Sequence, residues 1–172
     1  SGNKDPRGAA SNEAGDTVWV VDKDQNVYVY DADGNLQSSW KANGVSDKVQ
    51  GIATDGEDVW IVDDKKDEVF FFDGGATFAS GGAYDPTSSF TLDTANNNKK
   101  PRGITTDGES LWVVNDNGTD KVFKYTVAGT PLGSWAIDAT NASPRGITID
   151  PSGGTSIWIV DKSTDQVFQY DG

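Results

Sequence analysis

All three arginines of the chain occupy the same tripeptide, Pro-Arg-Gly, at residues 6–8, 101–103 and 144–146. A guanidinium binds a carboxylate through two parallel hydrogen bonds, so several guanidiniums at one place would hold an anion or an acidic glycan. The alternative role is structural, with each arginine joining its repeat to a neighbour by pairing with a repeated aspartate. The candidate site residues are Arg7, Arg102 and Arg145, with Gln50 in the corresponding position of another repeat, and the candidate structural partners are Asp63, Asp107 and Asp150.

Two acidic segments resemble the opening of calcium-binding loops. The first contains Asp22 and Asp24, and the second contains Asp31 and Asp33. An EF-hand loop requires Gly at its sixth position and Glu at its twelfth, and neither segment continues in this way. Asp also favours hairpin turns, because its carboxylate accepts hydrogen bonds from nearby backbone amides. We therefore expect no metal site and no cofactor, with weak calcium binding at these four aspartates as the alternative.

The residue types needed for most enzyme chemistry are missing, since the chain contains no His and no Cys. A zinc site would need these side chains as ligands, and a nucleophilic serine would lack its usual base. Two carboxylates can cleave a glycoside without histidine, but no pair among the 27 acidic residues stands out by its spacing. We therefore predict that the protein is not an enzyme and has no catalytic residues.

The formal net charge is −13 at pH 7, from 27 acidic and 14 basic residues. Binding of nucleic acid requires a basic face that releases counterions, and anionic membranes attract basic segments. No stretch approaches the roughly 18 apolar residues of a membrane-spanning helix. The composition predicts no nucleic-acid partner and no membrane insertion, and it is typical of an extracellular or cell-envelope protein.

One apolar segment recurs four times with Trp in its second position, and each copy is followed by a segment rich in aromatic residues. Such runs, separated by short polar stretches, predict strands joined by hairpins. A shorter strand precedes each apolar segment, and a fourth strand follows in three of the repeats. The aspartates that end three of the apolar segments are predicted to cap the hairpin amides, and they are Asp22, Asp63 and Asp161.

The apolar segments show no alternation of apolar and polar residues, so both faces of each strand must be covered. Four-stranded sheets that stack around an axis bury their middle strands in this way, and repeats of about 40 residues are typical of such blades. The predicted fold is all-β, a β-propeller with blades at residues 6–48, 49–100, 101–143 and 144–172, the last without its outer strand. The repeated tryptophans are predicted to be structural core residues between blades: Trp19, Trp60, Trp112 and Trp158.

The sequence leaves the closure of the ring open. Four blades can close on themselves, form half of a homo-oligomeric ring, or belong to a larger ring. The most irregular stretch covers residues 73–100, where extra residues separate the third and fourth strands of the second blade and lengthen the link to the third. Loops of this kind either carry a binding surface or are neutral insertions.

The repeat resembles that of NHL-type β-propellers over nearly the whole chain. The shared marks are the Pro-Arg-Gly-Ile opening, the central strand ending in Asp, and the Val-Phe-x-Tyr strand. The chain departs from that pattern in the Trp of its central strand and the Ser-Trp of its outer strand. In that family the inner strand lines a central channel, so the resemblance implies that four residues gather at one channel mouth: Arg7, Gln50, Arg102 and Arg145.

The resemblance also implies a binding platform, since similar propellers mostly bind proteins, glycans or RNA through one rim, while some are lyases or lactonases. The enzymatic relatives depend on histidine, which this chain lacks. We therefore predict a non-catalytic extracellular module that binds a protein or a glycan. Two alternatives stay open: part of a larger propeller hydrolase or lyase whose catalytic residues lie outside this segment, and a structural repeat unit of a large adhesin or envelope protein.

Overall fold

The computed structural model describes residues 2–150 and 153–171, which fold almost wholly into β-strands. The first sheet contains β1 (Pro6–Ser11), β2 (Thr17–Asp22), β3 (Asn26–Asp31) and β4 (Leu36–Ala42). The second contains β5 (Val49–Thr54), β6 (Val59–Asp63), β7 (Glu68–Phe72) and, after a short strand β8 (Ala83–Tyr84) that joins the first sheet, β9 (Ser88–Thr91).

The third sheet contains β10 (Pro101–Thr106), β11 (Ser110–Asn115), β12 (Lys121–Thr126) and β13 (Pro131–Ala136). The fourth contains β14 (Pro144–Ile149), β15 (Ser156–Asp161) and β16 (Gln166–Asp171), without an outer strand in the described residues. Two 3-10 turns interrupt the strands at Gly75–Thr77 and Thr94–Asn96. No helix in the described part of the chain is long and apolar enough to cross a membrane.

The four sheets are arranged as the blades of a β-propeller, so the predicted fold class is confirmed. Within each blade the strands pair antiparallel in chain order, and the inner strands β1, β5, β10 and β14 lie side by side. Strand β9 pairs with β7 as the outer strand of the second blade, so the fourth strand predicted for this repeat is present.

Three apolar clusters fill the spaces between successive blades. Between the second and third blades, Trp60 and Val62 from one central strand meet Leu111, Val113 and Phe123 from the next blade. The other two clusters repeat this arrangement. The central strands β6 and β11 are therefore buried along their whole length, as the absence of alternation predicts. Each large side chain buried in this way contributes about 1.5–3 kcal/mol to stability.

The two end blades differ from the inner two. Val160 and Val167 on the fourth blade are 42% and 65% exposed, and Val18 and Val20 on the first blade are only half-buried. The expectation that both faces of every apolar strand are covered is wrong for these blades, because each has a neighbour on one side only. For the same reason Trp158 is partly exposed, whereas the other three repeated tryptophans are buried.

The inner strands approach one another closely at the glycine of the repeated tripeptide. A Cβ on Gly51 would lie 3.1 Å from the backbone nitrogen of Ile104, and a Cβ on Gly103 would lie 3.1 Å from that of Ile147. Atoms at this separation would push the next blade away. The glycine is therefore a requirement of blade stacking.

The long insertion of the second blade is a structural strap rather than a free loop. It crosses to the first blade, where β8 pairs parallel with the end of β4. The rings of Phe78 and Tyr84 pack edge-on against Trp40, with centroids at 5.1 and 6.0 Å. The carbonyl of Ala76 also accepts a hydrogen bond from Trp19 Nε1 at 3.1 Å. These contacts fasten the first blade to the second.

Candidate ligand-binding site at the arginine end

A β-bulge places the predicted site residues at one end of the inner strands. In every blade the pairing of inner and central strands shifts register around the second residue of the inner strand, which has no partner across the sheet. A bulge of this kind re-aims a side chain. The bulged residues line one cleft of about 60 Å³, which we name the arginine end, and they are Arg7, Gln50, Arg102 and Arg145.

Ion pairs connect two of the arginines to the preceding blades. Asp64 Oδ2 lies 3.0 Å from Arg102 Nη1, which joins the second blade to the third. Asp116 Oδ2 lies 2.9 Å from Arg145 Nη1, which joins the third blade to the fourth, and 3.3 Å from Arg102 Nε. These ion pairs join neighbouring blades, which is the structural role considered for the arginines.

The pairing aspartates differ from those that the sequence suggested. Asp63 is buried, and its carboxylate accepts amide hydrogen bonds inside its own hairpin. Asp107 and Asp150 follow the far ends of the inner strands β10 and β14. The partners instead occupy the first position after the central strands, and they are Asp64 and Asp116.

The first two blades use a different arrangement. Lys23 follows the first central strand, where the second blade has Asp64, and the blade after it carries Gln50 instead of an arginine. This substitution avoids two like charges at that junction. Gln50 Nε2 donates to Asp64 Oδ2 at 3.4 Å, and Arg7 pairs within its own segment with Asp5 at 3.0 Å.

Arg145 keeps hydrogen-bonding capacity for a ligand. Its side chain is 39% exposed, compared with 19% for Arg102. Within residues 2–150 and 153–171, its hydrogen bonds to Asp116 and to the carbonyl of Pro144 both use Nη1. A guanidinium carries five donors, so the others can bind a carboxylate.

A larger cleft of about 420 Å³ opens beside Asp116, where the hairpin after β11 meets the link after β13. Asp120 and Asp138 line this cleft together with Ile137. Burial raises the pKa of the Asp120 carboxyl, and the neighbouring charge of Asp116 raises it further. A positive charge in the cleft would relieve this repulsion. The arginine end therefore presents a guanidinium and an acidic cleft side by side.

The charges of the chain are unevenly distributed between its two ends. The connections between first and second strands and between third and fourth strands contain no Lys or Arg. Apart from Lys124, every basic residue lies in a loop or strand end on the arginine side. We name the opposite side the acidic end. Its field repels anionic groups and favours their approach to the arginines.

The four candidate calcium ligands do not converge. Asp22 Oδ1 accepts a hydrogen bond from the amide of Asn26 at 2.9 Å, and Asp31 Oδ1 accepts one from the amide of Asn35 at 2.8 Å. Hydrogen bonds from Asn35 lower the pKa of Asp31. Within the described residues, no three His, Cys, Asp or Glu side chains form a group that could hold a metal ion. The other two candidates are exposed turn residues, Asp24 and Asp33.

The aspartates that end the central strands cap the hairpins, as predicted. Asp161 Oδ1 accepts hydrogen bonds from the amides of Ser163 at 2.7 Å and Thr164 at 2.8 Å. Its Oδ2 accepts one from the amide of Ser143 at 2.6 Å. Burial opposes ionisation of this carboxyl, but the hydrogen bonds outweigh burial and hold the pKa of Asp161 well below its usual value.

In three of the blades, a hydrogen bond between Asn and Tyr, not predicted from the sequence, fastens the segment before the inner strand to the third strand of the same blade. Tyr125 Oη accepts from Asn98 Nδ2 at 2.7 Å and from the amide of Asp93 at 3.0 Å. Tyr170 Oη accepts from Asn141 Nδ2 at 3.2 Å. The signal in the sequence is an Asn four residues before each Arg, at Asn3, Asn98 and Asn141.

The sequence matches no protein-family model and no curated protein. Solved structures match by fold. A streptogramin B lyase structure gives a TM-score of 0.58 and 18% identity, over 99% of this chain and 55% of that chain. Kuenenia stuttgartiensis hydrazine synthase gives a TM-score of 0.61 and 14% identity, over 100% of this chain and 50% of that chain. A nidogen/laminin complex gives a TM-score of 0.61 and 16% identity, over 96% of this chain and 75% of that chain.

These similarities show the β-propeller fold, which lyases and binding proteins share. The chain spans about half the length of the lyase and synthase chains that it matches. A further match is virginiamycin B lyase from Staphylococcus aureus with quinupristin, at a TM-score of 0.59 and 17% identity over 96% of this chain and 55% of that chain. That lyase is catalytically inactive after a histidine-to-alanine substitution, and the present chain contains no histidine.

Proposed function

We propose that the chain is a non-catalytic binding module of the NHL repeat type, located outside the cell or in the cell envelope, that binds a partner protein through its arginine end. The observation that carries this proposal is the assembly of four bulged residues, Arg7, Gln50, Arg102 and Arg145, at one mouth of the inner strands. The likeness to a propeller in a nidogen/laminin complex supports a protein as the partner.

The chemistry of the arginine end favours a protein over an acidic glycan. Arg145 offers donors for a carboxylate, while Asp120 and Asp138 in the adjacent cleft favour a positive charge. A polyanionic glycan would meet repulsion from these acids and from the net charge of −13. A folded protein can present an acidic and a basic side chain at a fixed spacing, which fits both features.

Several observations favour binding over catalysis. The chain has no His and no Cys, and the described residues hold no metal-binding group. Asp58 and Asp120 both have a raised pKa, mainly through burial, and they lie at opposite ends of the blades. Two carboxyls so separated cannot act on one glycosidic bond. A lyase that contained this chain would therefore need catalytic groups from elsewhere.

The test is a selection of random twelve-residue peptides displayed on phage, followed by calorimetry of the selected peptides. We expect them to contain both acidic and basic residues. The variant Arg145→Ala should weaken their binding by about tenfold, equivalent to about 1.4 kcal/mol, because it removes a charge-assisted hydrogen bond. The matched control is Lys124→Ala, which removes the basic residue that lies away from the arginine end and should leave binding unchanged.

The same experiment contains the results that would count against the proposal. Selected peptides that bind Arg145→Ala as tightly as the unmodified chain would place the binding surface elsewhere. Peptides made only of basic residues would move the site to the acidic end. A failure to enrich any peptide would remove the support for a protein partner.

A further inference from the structure

The same two kinds of surface meet at all three junctions between blades. The leading face of a blade carries two residues of the central strand, the Trp and the last apolar residue. It also carries the first Val of the third strand. Its trailing face carries the other apolar residues of the central strand and two aromatic residues of the third strand. Between the third and fourth blades, the leading face consists of Trp112, Val114 and Val122, and the trailing face includes Ile157, Ile159 and Tyr170.

One face of each kind has no neighbouring blade in the described residues. The leading face of the fourth blade consists of Trp158, Val160 and Val167, which line a surface depression with Ile147. The equivalent valines of the other three blades are fully buried. The trailing face of the first blade is partly covered by residues before β1: Val18, Val20 and Tyr30 are half-buried, and Tyr28 is buried. An apolar surface of this kind on a folded chain marks an interaction site.

Gly146 gives an independent indication of what covers the fourth blade. A Cβ on Gly8 would lie 2.7 Å from Gly51 Cα in the next blade, and those on Gly51 and Gly103 would similarly meet the following inner strand. A Cβ on Gly146 would meet only Val160 Cγ1 of its own blade within 4 Å, at 3.3 Å. The fourth blade thus has a glycine suited to the close approach of another inner strand, and no such strand lies beside it in the described residues.

The charges at the arginine end allow the trailing face of a first blade to pack on the leading face of the fourth blade. Lys162 follows the fourth central strand, in the position that Asp116 has in the third blade. Arg7 from a following first blade would place a second positive charge near it. Asp5, 3.0 Å from Arg7, supplies a carboxylate that can pair with both.

We propose that two copies of this chain close a ring of eight blades, in which the leading face of each fourth blade packs on the trailing face of the other copy's first blade. The ring has twofold symmetry and two identical seams, because each copy contributes to each seam one face that has no neighbouring blade of its own. Eight blades lie within the range of known propellers. The apolar part of each seam then repeats the packing between blades that this chain forms three times within itself.

The first measurement is the mass of the unmodified chain by sedimentation equilibrium between 1 and 100 µM, in about 0.15 M salt to screen the net charge. We expect twice the chain mass of 18.3 kDa. A single-chain mass at 100 µM would overturn the proposal. A mass that keeps rising with concentration would also overturn it, because it would indicate open association without closure.

Two variants test the seam by different means. Val167→Asp places a charge in both seams and should give a single-chain mass at 10 µM. Gly146→Ala adds only one methyl group, and overpacking of the seams should raise the dissociation constant by at least about tenfold. The control Leu132→Asp puts the same charge on a 54% exposed residue of the outer strand β13 and should leave the dimer intact. A dimer that survives Val167→Asp would contradict the proposal.

Mixing experiments identify which faces meet. Val18→Lys alters the trailing face of the first blade and should also give single chains. Mixed with Val167→Asp, it should restore a dimer with one unmodified seam and one seam that places Lys against Asp. If two identical faces met instead, mixing would not restore a dimer. Failure of the mixture to form a dimer would therefore overturn the proposed arrangement. Circular dichroism of each variant confirms that loss of the dimer does not come from unfolding.

Discussion

Removal of one hydroxyl group, in the variant Tyr125→Phe, tests how the links between blades are held. The Tyr125 side chain is 1% exposed and Asn98 is fully buried. Their hydrogen bond measures 2.7 Å, and the amide of Asp93 donates to the same oxygen at 3.0 Å. Phe keeps the ring packing but leaves both donors without an acceptor. Leaving buried donors unsatisfied costs about 1–3 kcal/mol, so we expect a loss of about 2 kcal/mol.

The matched control for this prediction is Tyr170→Phe in the next blade. There the equivalent bonds are longer, at 3.2 and 3.3 Å, and the ring is only half-buried. Asn141 is also buried, but these longer bonds contribute less, so the cost should stay below about 1 kcal/mol.

The assay for both variants is urea unfolding followed by tryptophan fluorescence, with thermal unfolding as a second readout. A loss of about 2 kcal/mol lowers the melting temperature by roughly 4–8 °C in a chain of this size. A cost for Tyr125→Phe below about 0.5 kcal/mol, or equal costs for the two variants, would show that the buried hydroxyl does not stabilise the link between the blades.

Three further predictions concern the core, the glycines and the hairpin caps. Trp60→Ala should lower the free energy of unfolding by about 3–5 kcal/mol in urea titrations, because a buried side chain between two blades is lost. Gly103→Ala should cost about 1–3 kcal/mol by the same assay, since its Cβ would crowd the next inner strand, whereas Gly133→Ala, with no atom within 4 Å, should be near neutral. Asp161 has a lowered pKa in the folded chain, so it stabilises the fold above the unfolded value of about 3.9 and loses this contribution as the pH falls below it. Asp161→Asn should therefore lose less stability than the unmodified chain between pH 5 and pH 2, as measured by the urea midpoint.

The blades could be predicted from the sequence because one pattern was repeated four times. The apolar segments around Trp60 and Trp112 lack alternation, and sheets buried on both faces explain this directly. The exposure of Trp158 could not be predicted from the same pattern, because the residues of an end blade resemble those of an inner blade. Burial of Trp158 depends on whether another blade packs against the fourth blade, and the sequence of the fourth blade alone does not indicate this.

The candidate site was predicted in position more fully than in its contacts. The common place of Arg102 and Arg145 in the repeat was sufficient to bring them to one end of the inner strands. Their ion-pair partners could not be predicted in the same way. Asp63 and Asp64 are neighbours in the sequence, but the Asp63 carboxylate bonds to its own hairpin and the Asp64 carboxylate pairs with Arg102. The acidic cleft was missed because Asp120 and Asp138 are brought together from a hairpin and a separate link.

The most direct test of binding at the arginine end is a map of backbone amide chemical shifts as a selected peptide is titrated into the unmodified chain. Binding at the arginine end predicts changes in the amides of residues 116–120, 137–142 and 145–146, which surround Arg145 and the acidic cleft. Changes confined to residues 107–109 and 127–130, at the acidic end, would contradict it.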